Sequence, residues 1–277
     1  MAAPPFSAQR AKDKEQMLPY PDIDPAIFRL GPLQVRWYGL MYVLGFFAAY
    51  HLVRHQIKKF DVSWLVDHFE NLNFFLLLGL ILGGRFGYVF FYNPAYYFTH
   101  PGEILATWQG GMSFHGALIG LVLAAVLFCH RHKIDFWQTA DLYVAAIPVG
   151  LGLGRIGNFI NGELFGRVSD VPWAMVFPGG GPLARHPSQL YECLLEGVLL
   201  FVVLWRLKEQ RWPSGFMLAS FLVSYGFLRI LVELFREPDP QLGFLLASLT
   251  MGQLLSGIMI VAGGLIFVLR RRKAGVS

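Results

Sequence analysis

The segment 151–167, LGLGRIGNFINGELFGR, sets an arginine, two asparagines and a glutamate at the end of an apolar stretch. In a bilayer an arginine such as Arg155 costs roughly 2.5–3.5 kcal/mol on insertion scales, and Asn158, Asn161 and Glu163 add to that cost. Glycines 152, 154, 157, 162 and 166 thread the same segment. They lower helix propensity but let another backbone or a ligand come close. A chain built only to span a membrane has no use for such groups. The segment reads as a polar site at membrane depth, suited to an anion.

Other apolar stretches carry chemistry of the same kind. In YGFLRILVELFR (225–236), Tyr225, Arg229 and Glu233 recur every four residues and share a helix face, with Arg236 three residues further on. Two readings stand. Arg229 and Glu233 neutralise each other within the helix, or Glu233 orients Arg229 so that its guanidinium forks onto a phosphate. GGMSFHGALIG (110–120) places His115 beside Ser113 at the start of an apolar run. A histidine at a helix end is often structural, but an imidazole also suits proton abstraction near neutral pH. GGRFGYVFFYN (83–93) repeats the theme of a cation at membrane depth with Arg85, on one face with Tyr88 and Tyr92. Glu192 and Glu196 are four residues apart and read as counter-ions that keep arginines from repelling one another, or as a proton relay. Tyr38, in RWYGLMY, stands where aromatic belts lie. There is no His/Asp/Glu group at metal-ligand spacing, no Ser–His–Asp arrangement, no Walker loop and no dinucleotide fingerprint. Neither a metal nor a cofactor is expected.

These groups need elements to hold them. The chain has 277 residues, 55% hydrophobic and 15% charged, which is too apolar for a soluble domain of this length. An all-α polytopic membrane protein is expected, with seven spans at about 36–53, 71–92, 113–129, 139–158, 188–206, 215–235 and 250–269. Arg54, Lys58, Lys59, Arg131, Lys133, Arg206, Lys208, Arg211, Arg270, Arg271, Arg272 and Lys273 follow the odd-numbered spans. The positive-inside rule makes that side cytoplasmic, with the N-terminus outside and the C-terminus inside. The net charge of +5 follows this clustering at span ends and is no signal of nucleic acid. Residues 1–17 hold no apolar core of signal-peptide length and read as a disordered extension before an outer segment, 18–35. A single membrane domain, 36–272, and a short tail, 273–277, complete the organisation. The outer loops 93–112 and 159–187 are the elaborate ones: the first is aromatic and interfacial, the second turn-rich and expected to form a small periplasmic cap. Cys129 and Cys193 fall in apolar helices and read as small hydrophobes. Small-residue faces (Gly79, Gly83, Gly84, Gly87; Gly150, Gly152, Gly154, Gly157) either let helices pack closely or leave lateral gaps for lipid.

Six blocks in order then resemble one family: RWYGLMY (36–42), GGRFGYVFFYN (83–93), GGMSFHGALIG (110–120), GRIGNFINGELFGR (154–167), RHPSQLYE (185–192) and YGFLRILVELFR (225–236). The chain resembles the prolipoprotein diacylglyceryl transferases of the bacterial inner membrane from about Tyr20 to its last span. Ala117 stands where that family often has glycine, and Phe165 where Trp or Tyr is usual; neither change removes a functional group. The resemblance implies movement of a diacylglyceryl group from phosphatidylglycerol to the lipobox cysteine of a preprolipoprotein signal peptide. A thioether forms and glycerol 1-phosphate leaves. It implies His115, Arg229, Arg155 and Glu233 as catalytic residues. Phosphatidylglycerol would meet Arg155, Asn158, Glu163, Gly166, Tyr38, Tyr225, Arg85 and Arg236. Partners are that lipid, the signal peptide and the surrounding membrane lipids. A displacement of this kind needs a thiolate and fixed cations on the leaving phosphate. A different class, an anion or headgroup transporter, would also want intramembrane arginines and broken helices. The absence of an internal repeat and the histidine near the polar groups speak against it.

Overall fold

The computed structural model describes residues 18–31, 33–210, 212–238 and 249–273. The expected extension 1–17 and all but the first residue of the tail 273–277 lie outside them. The chain divides into two compact units, one of residues 54–140 and one drawn from 1–53 and 141–277.

The chain is mostly helical, with one addition that the sequence reading lacks. Before the first helix, β1 (Ala26–Leu30) and β2 (Leu33–Arg36) pair antiparallel around Gly31, whose φ of 57° closes the turn. The expectation of an all-α chain is corrected here: the 18–35 segment holds most of this hairpin. The strands are short and bulged, so no alternating pattern announces them.

The main helices are α1 (Trp37–Lys59), α2 (Phe69–Phe91), α3 (Phe114–His132), α4 (Phe136–Val144) and α5 (Ile147–Ile160). A composite α6 follows, built of Ser188–Glu192, a π-helical stretch Cys193–Leu199 and Leu200–Leu207. The last two are α7 (Phe216–Glu233) and α8 (Met251–Lys273). Among the described residues, α2, α3, α7 and α8 are long and apolar enough to cross a membrane, and α4 with α5 make a fifth if that pair, bent by 44°, is one span. The expected number was seven. The helix α1 loses apolarity to His51, Arg54, His55, Lys58 and Lys59 in its C-terminal half. The π stretch interrupts α6, so no α-helix there reaches spanning length. The bend between α4 and α5 falls just before Pro148, which sits in the first turn of α5, where a missing N–H costs nothing.

In the 54–140 unit, α2 and α3 pack through glycine. A Cβ on Gly87 would lie 2.7 Å from the Gly116 Cα, and one on Gly83 2.7 Å from the Gly120 Cα. At these two glycine pairs the helix backbones are in contact. In the other unit Gly152 and Gly197 meet likewise, a Cβ on Gly197 coming 2.7 Å from the Gly152 Cα, whereas Gly150 and Gly154 point one at nothing within 4 Å. Gly83→Ala is therefore expected to lower stability by about 1–3 kcal/mol through overpacking. Gly264→Ala, where a Cβ meets nothing within 4 Å, should hold or slightly raise it. Thermal unfolding of the two variants in one detergent checks the contrast.

Loop 93–112 carries a short helix, Pro94–Thr99, and two 3-10 turns, with Phe98 79% and Trp108 82% exposed, as an interfacial aromatic segment requires. The excursion 159–187 folds on isolated bridges, Val168 with Arg185 and Arg185 with Met175, and Gly166 pairs with Arg236 after α7. The core of this unit gathers Val144, Ala145, Leu200, Leu204, Met217 and Phe221. The Asp141 carboxylate accepts the Gly215 and Leu218 N–H groups at 2.7 and 2.9 Å and so caps α7, which fixes where Arg229 falls along it.

Candidate active site

Three helices bring charge to one place in the 1–53 and 141–277 unit. The Gly152–Gly197 crossing lets α5 approach α6 until Arg155 Nε reaches Glu192 Oε2 at 2.6 Å. Arg229 on α7 donates Nη1 to the same oxygen at 2.5 Å and Nη2 to Glu233 Oε1 at 2.6 Å. Glu192 is thus a carboxylate clamped between two guanidiniums from different helices. Glu233 Oε2 takes the Thr250 hydroxyl at 2.7 Å, and Arg236 Nη1 stands 3.9 Å from its other oxygen. Glu196, fully buried, lies 3.5 Å from Arg229 Nη1.

Burial decides how this cluster behaves. Arg229, Glu192, Glu196 and Glu233 are all buried. Buried charges that lose a partner cost several kcal/mol, so each holds the others in place. The side chain of Arg155 is 19% exposed against 9% for Arg229. Its Nη1 reaches Asn158 Oδ1 at 3.3 Å, and Asn158 Nδ2 in turn holds Glu163 Oε1 at 2.9 Å, with Asn161 Nδ2 on the same oxygen at 3.1 Å. Arg155 therefore stands at the more open edge, and Arg229 at the closed end. Tyr225 lies among Glu196, Arg229 and Arg155, while Tyr38 interacts with Asn158 and Glu163 and packs its ring on Gly157.

Of the expected site residues, the unit brings together Arg155, Asn158, Glu163, Tyr38, Tyr225, Arg229, Glu233 and Arg236. Gly166 joins differently. It donates its N–H to His186 O at 2.8 Å, and a Cβ there would press on His186 Cβ at 2.7 Å, so it serves a tight backbone crossing. His115 and Arg85 belong to the 54–140 unit. His115 is exposed in the first turn of α3, behind the Ser113 Oγ that caps Gly116 N at 3.1 Å. Arg85 is 1% exposed and hydrogen-bonds to carbonyls: Nε to Ile104 at 2.7 Å, Nη1 to Gly110 at 2.6 Å and Gly111 at 3.1 Å, Nη2 to Glu103 at 2.8 Å. Its guanidinium staples loop 93–112, a role that the expected headgroup contact does not describe. The reading from sequence placed Glu192 among counter-ions, which fits its two partners, but left it outside the site. Thr250 gave no signal beyond a hydroxyl before the last helix.

Outside the spans, His186 is half-buried, with Nδ1 3.1 Å from the Tyr191 hydroxyl, and burial pushes its imidazole below the ordinary histidine range. The fold favours its neutral form, so this contribution is present above the unfolded pKa and is lost as pH falls through that range. Wild type should lose more thermal stability than His186→Asn between pH 7.5 and roughly 5.5. Parallel melts at the two pH values test the sign.

These guanidiniums, held by buried carboxylates, sit in a helical protein with several helices long and apolar enough to cross a membrane. The comparisons give the family. A family model described as prolipoprotein diacylglyceryl transferase matches residues 25–269. A protein of Desulfotalea psychrophila named phosphatidylglycerol–prolipoprotein diacylglyceryl transferase is 61% identical over 249 residues, 88% of this chain and 92% of its own length. Proteins of the same name from Geobacter sulfurreducens and Bordetella avium are 53% and 52% identical, covering 92% and 93% of this chain and 99% and 98% of their own lengths. The chain belongs to the prolipoprotein diacylglyceryl transferase family.

Proposed function

We propose that the chain moves the diacylglyceryl group of phosphatidylglycerol onto the lipobox cysteine of a preprolipoprotein, the first step of lipoprotein maturation. Membership of the family over nearly the whole chain supports the reaction. The observation that carries the chemistry is the pair of guanidiniums on Glu192, one open and one closed.

Arg155, at the open edge, takes the lipid phosphate, with Asn158 and Glu163 fixing its fork. Arg229 supplies positive charge from behind, oriented by Glu192 and Glu233. His115 accepts the thiol proton. The thiolate attacks the glyceryl carbon bonded to the phosphate ester; the C–S bond forms as the C–O bond breaks, and glycerol 1-phosphate departs with the electron pair. Charge gathers on the leaving phosphate, where preorganised cations act most strongly. Tyr38, Tyr225 and Arg236 line the site, and Gly166 keeps the 159–187 excursion on α7.

The chain crosses the inner membrane seven times, with α1 and α6 counted beside the apolar spans and α4 with α5 as one. Its N-terminus and the 159–187 cap face the periplasm, and its C-terminus the cytoplasm. The charge pattern of the loops supports that orientation. It brings outer-leaflet phosphatidylglycerol and an exported signal peptide to the same side.

Purified protein with phosphatidylglycerol and a lipobox peptide should release glycerol phosphate only when the peptide carries its cysteine. Arg155→Ala should cut that release roughly 10²–10³-fold. Folded protein that releases none, in any phosphatidylglycerol mixture, would overturn the assignment and favour a headgroup carrier.

A further inference from the structure

At the end of α3 opposite His115, two cavities share one imidazole. The first, of about 440 Å³, follows the glycine seam between α2 and α3. Phe75, Leu82, Leu123 and Leu127 wall it, and it ends at Arg131 and His132. The second, of about 370 Å³, is polar and includes Trp64, His68, His132, Lys133 and Gln138. His132 belongs to both; its ring stacks on Phe128 at 4.3 Å and stands 4.8 Å from that of His68. Asp135 also borders the polar cavity, but its Oδ1 accepts the Gln138 N–H at 2.9 Å as a helix cap. Together the two offer a long hydrocarbon wall leading to two basic side chains and two imidazoles.

Lys133 is held at φ 57°, in the left-handed position after a helix where glycine or asparagine is usual. Backbone preference gives no reason for a lysine there. Charge does: it borders the polar cavity two residues from Arg131, which ends the apolar one.

We propose that the two cavities, adjoining at His132, together hold one anionic glycerophospholipid of the leaflet at the α3 C-terminus. An acyl chain lies in the groove that runs along the seam, and the phosphate meets Arg131, Lys133 and His132. Hydrocarbon alone would fit any lipid tail; the basic end selects an anionic one. His132 lies seventeen helical steps beyond His115, about 26 Å at 1.5 Å per residue, so this lipid is not the one presented to His115. The inference rests on the membrane reading above but not on the transfer reaction.

The probe is a phosphatidic acid with a diazirine in one acyl chain. Full-length protein is reconstituted in phosphatidylethanolamine vesicles containing it, and labelled peptides are mapped by mass spectrometry. Label should concentrate on 75–83 and 120–128. Two basic residues near an anionic lipid are worth about 1 kcal/mol each, so Arg131→Gln with Lys133→Gly should reduce it roughly 10–30-fold. Glycine suits the left-handed position, and glycerol-phosphate release in phosphatidylglycerol vesicles shows that the variant is folded. Equal labelling by a phosphatidylcholine probe, or label untouched by the double variant, would overturn the proposal in favour of ordinary annular lipid. Crosslinks between protein copies along the seam, without lipid label, would overturn it in favour of a dimer face. Label retained in a protein that releases no glycerol phosphate would uphold this site and remove the transferase reading.

Discussion

Arg229→Ala should lose roughly 10²–10³-fold in turnover and about 3–5 kcal/mol of stability. Both losses come from one geometry. The side chain is 9% exposed and its two terminal nitrogens are given to Glu192 and Glu233. Truncation leaves two buried carboxylates without their closest cation, and Glu192 keeps only Arg155. Lysine is no remedy. A lysine ammonium has donors enough but not the planar fork whose separate nitrogens reach Glu192 and Glu233, so Arg229→Lys should recover part of the stability and little of the activity. Glycerol-phosphate release beside thermal melts separates the two effects. Wild-type turnover in a folded Arg229→Ala protein would remove the residue from the chemistry.

His115→Gln is expected to slow transfer roughly 10²–10⁴-fold with little change in stability, because His115 is an exposed side chain in the first turn of α3. Glutamine keeps a polar group of similar reach but cannot take a proton. The diagnostic is the pair of initial rates with one lipobox peptide, and a peptide whose thiol is already ionised would narrow the gap between them. Full activity of His115→Gln would assign the proton to another acceptor and leave the arginine roles intact.

Much of the framework was legible because hydrocarbon thickness and helical pitch constrain apolar runs so tightly. The runs read at 71–92, 113–129 and 250–269 correspond to α2, α3 and α8, which begin within two residues of those bounds. The four-residue repeat of Tyr225, Arg229 and Glu233 correctly put Arg229 beside Glu233. It left open whether the pair closed on itself. The answer depended on Glu192, which approaches from another helix through the Gly152–Gly197 crossing, and no local pattern encodes such a meeting. The π stretch in α6 was hidden for a similar reason: CLLEGVL has an ordinary helical composition. Arg85 misled because an arginine among apolar residues looks the same whether its partner is a ligand or a backbone carbonyl. Type and spacing identified the charges; only packing between distant segments sorted their duties.

That arginine has a further consequence. All four of its acceptors on 103, 104, 110 and 111 are main-chain oxygens, which every amino acid carries alike. The anchor is therefore indifferent to which side chains the loop displays, and sensitive to how many residues lie between the anchored carbonyls. Exposed side chains such as Leu105 and Trp108 can be exchanged to alter what the loop touches without unfastening it. A single inserted or deleted residue there would pull the carbonyls out of phase with the guanidinium, so the loop's tether is written in its length.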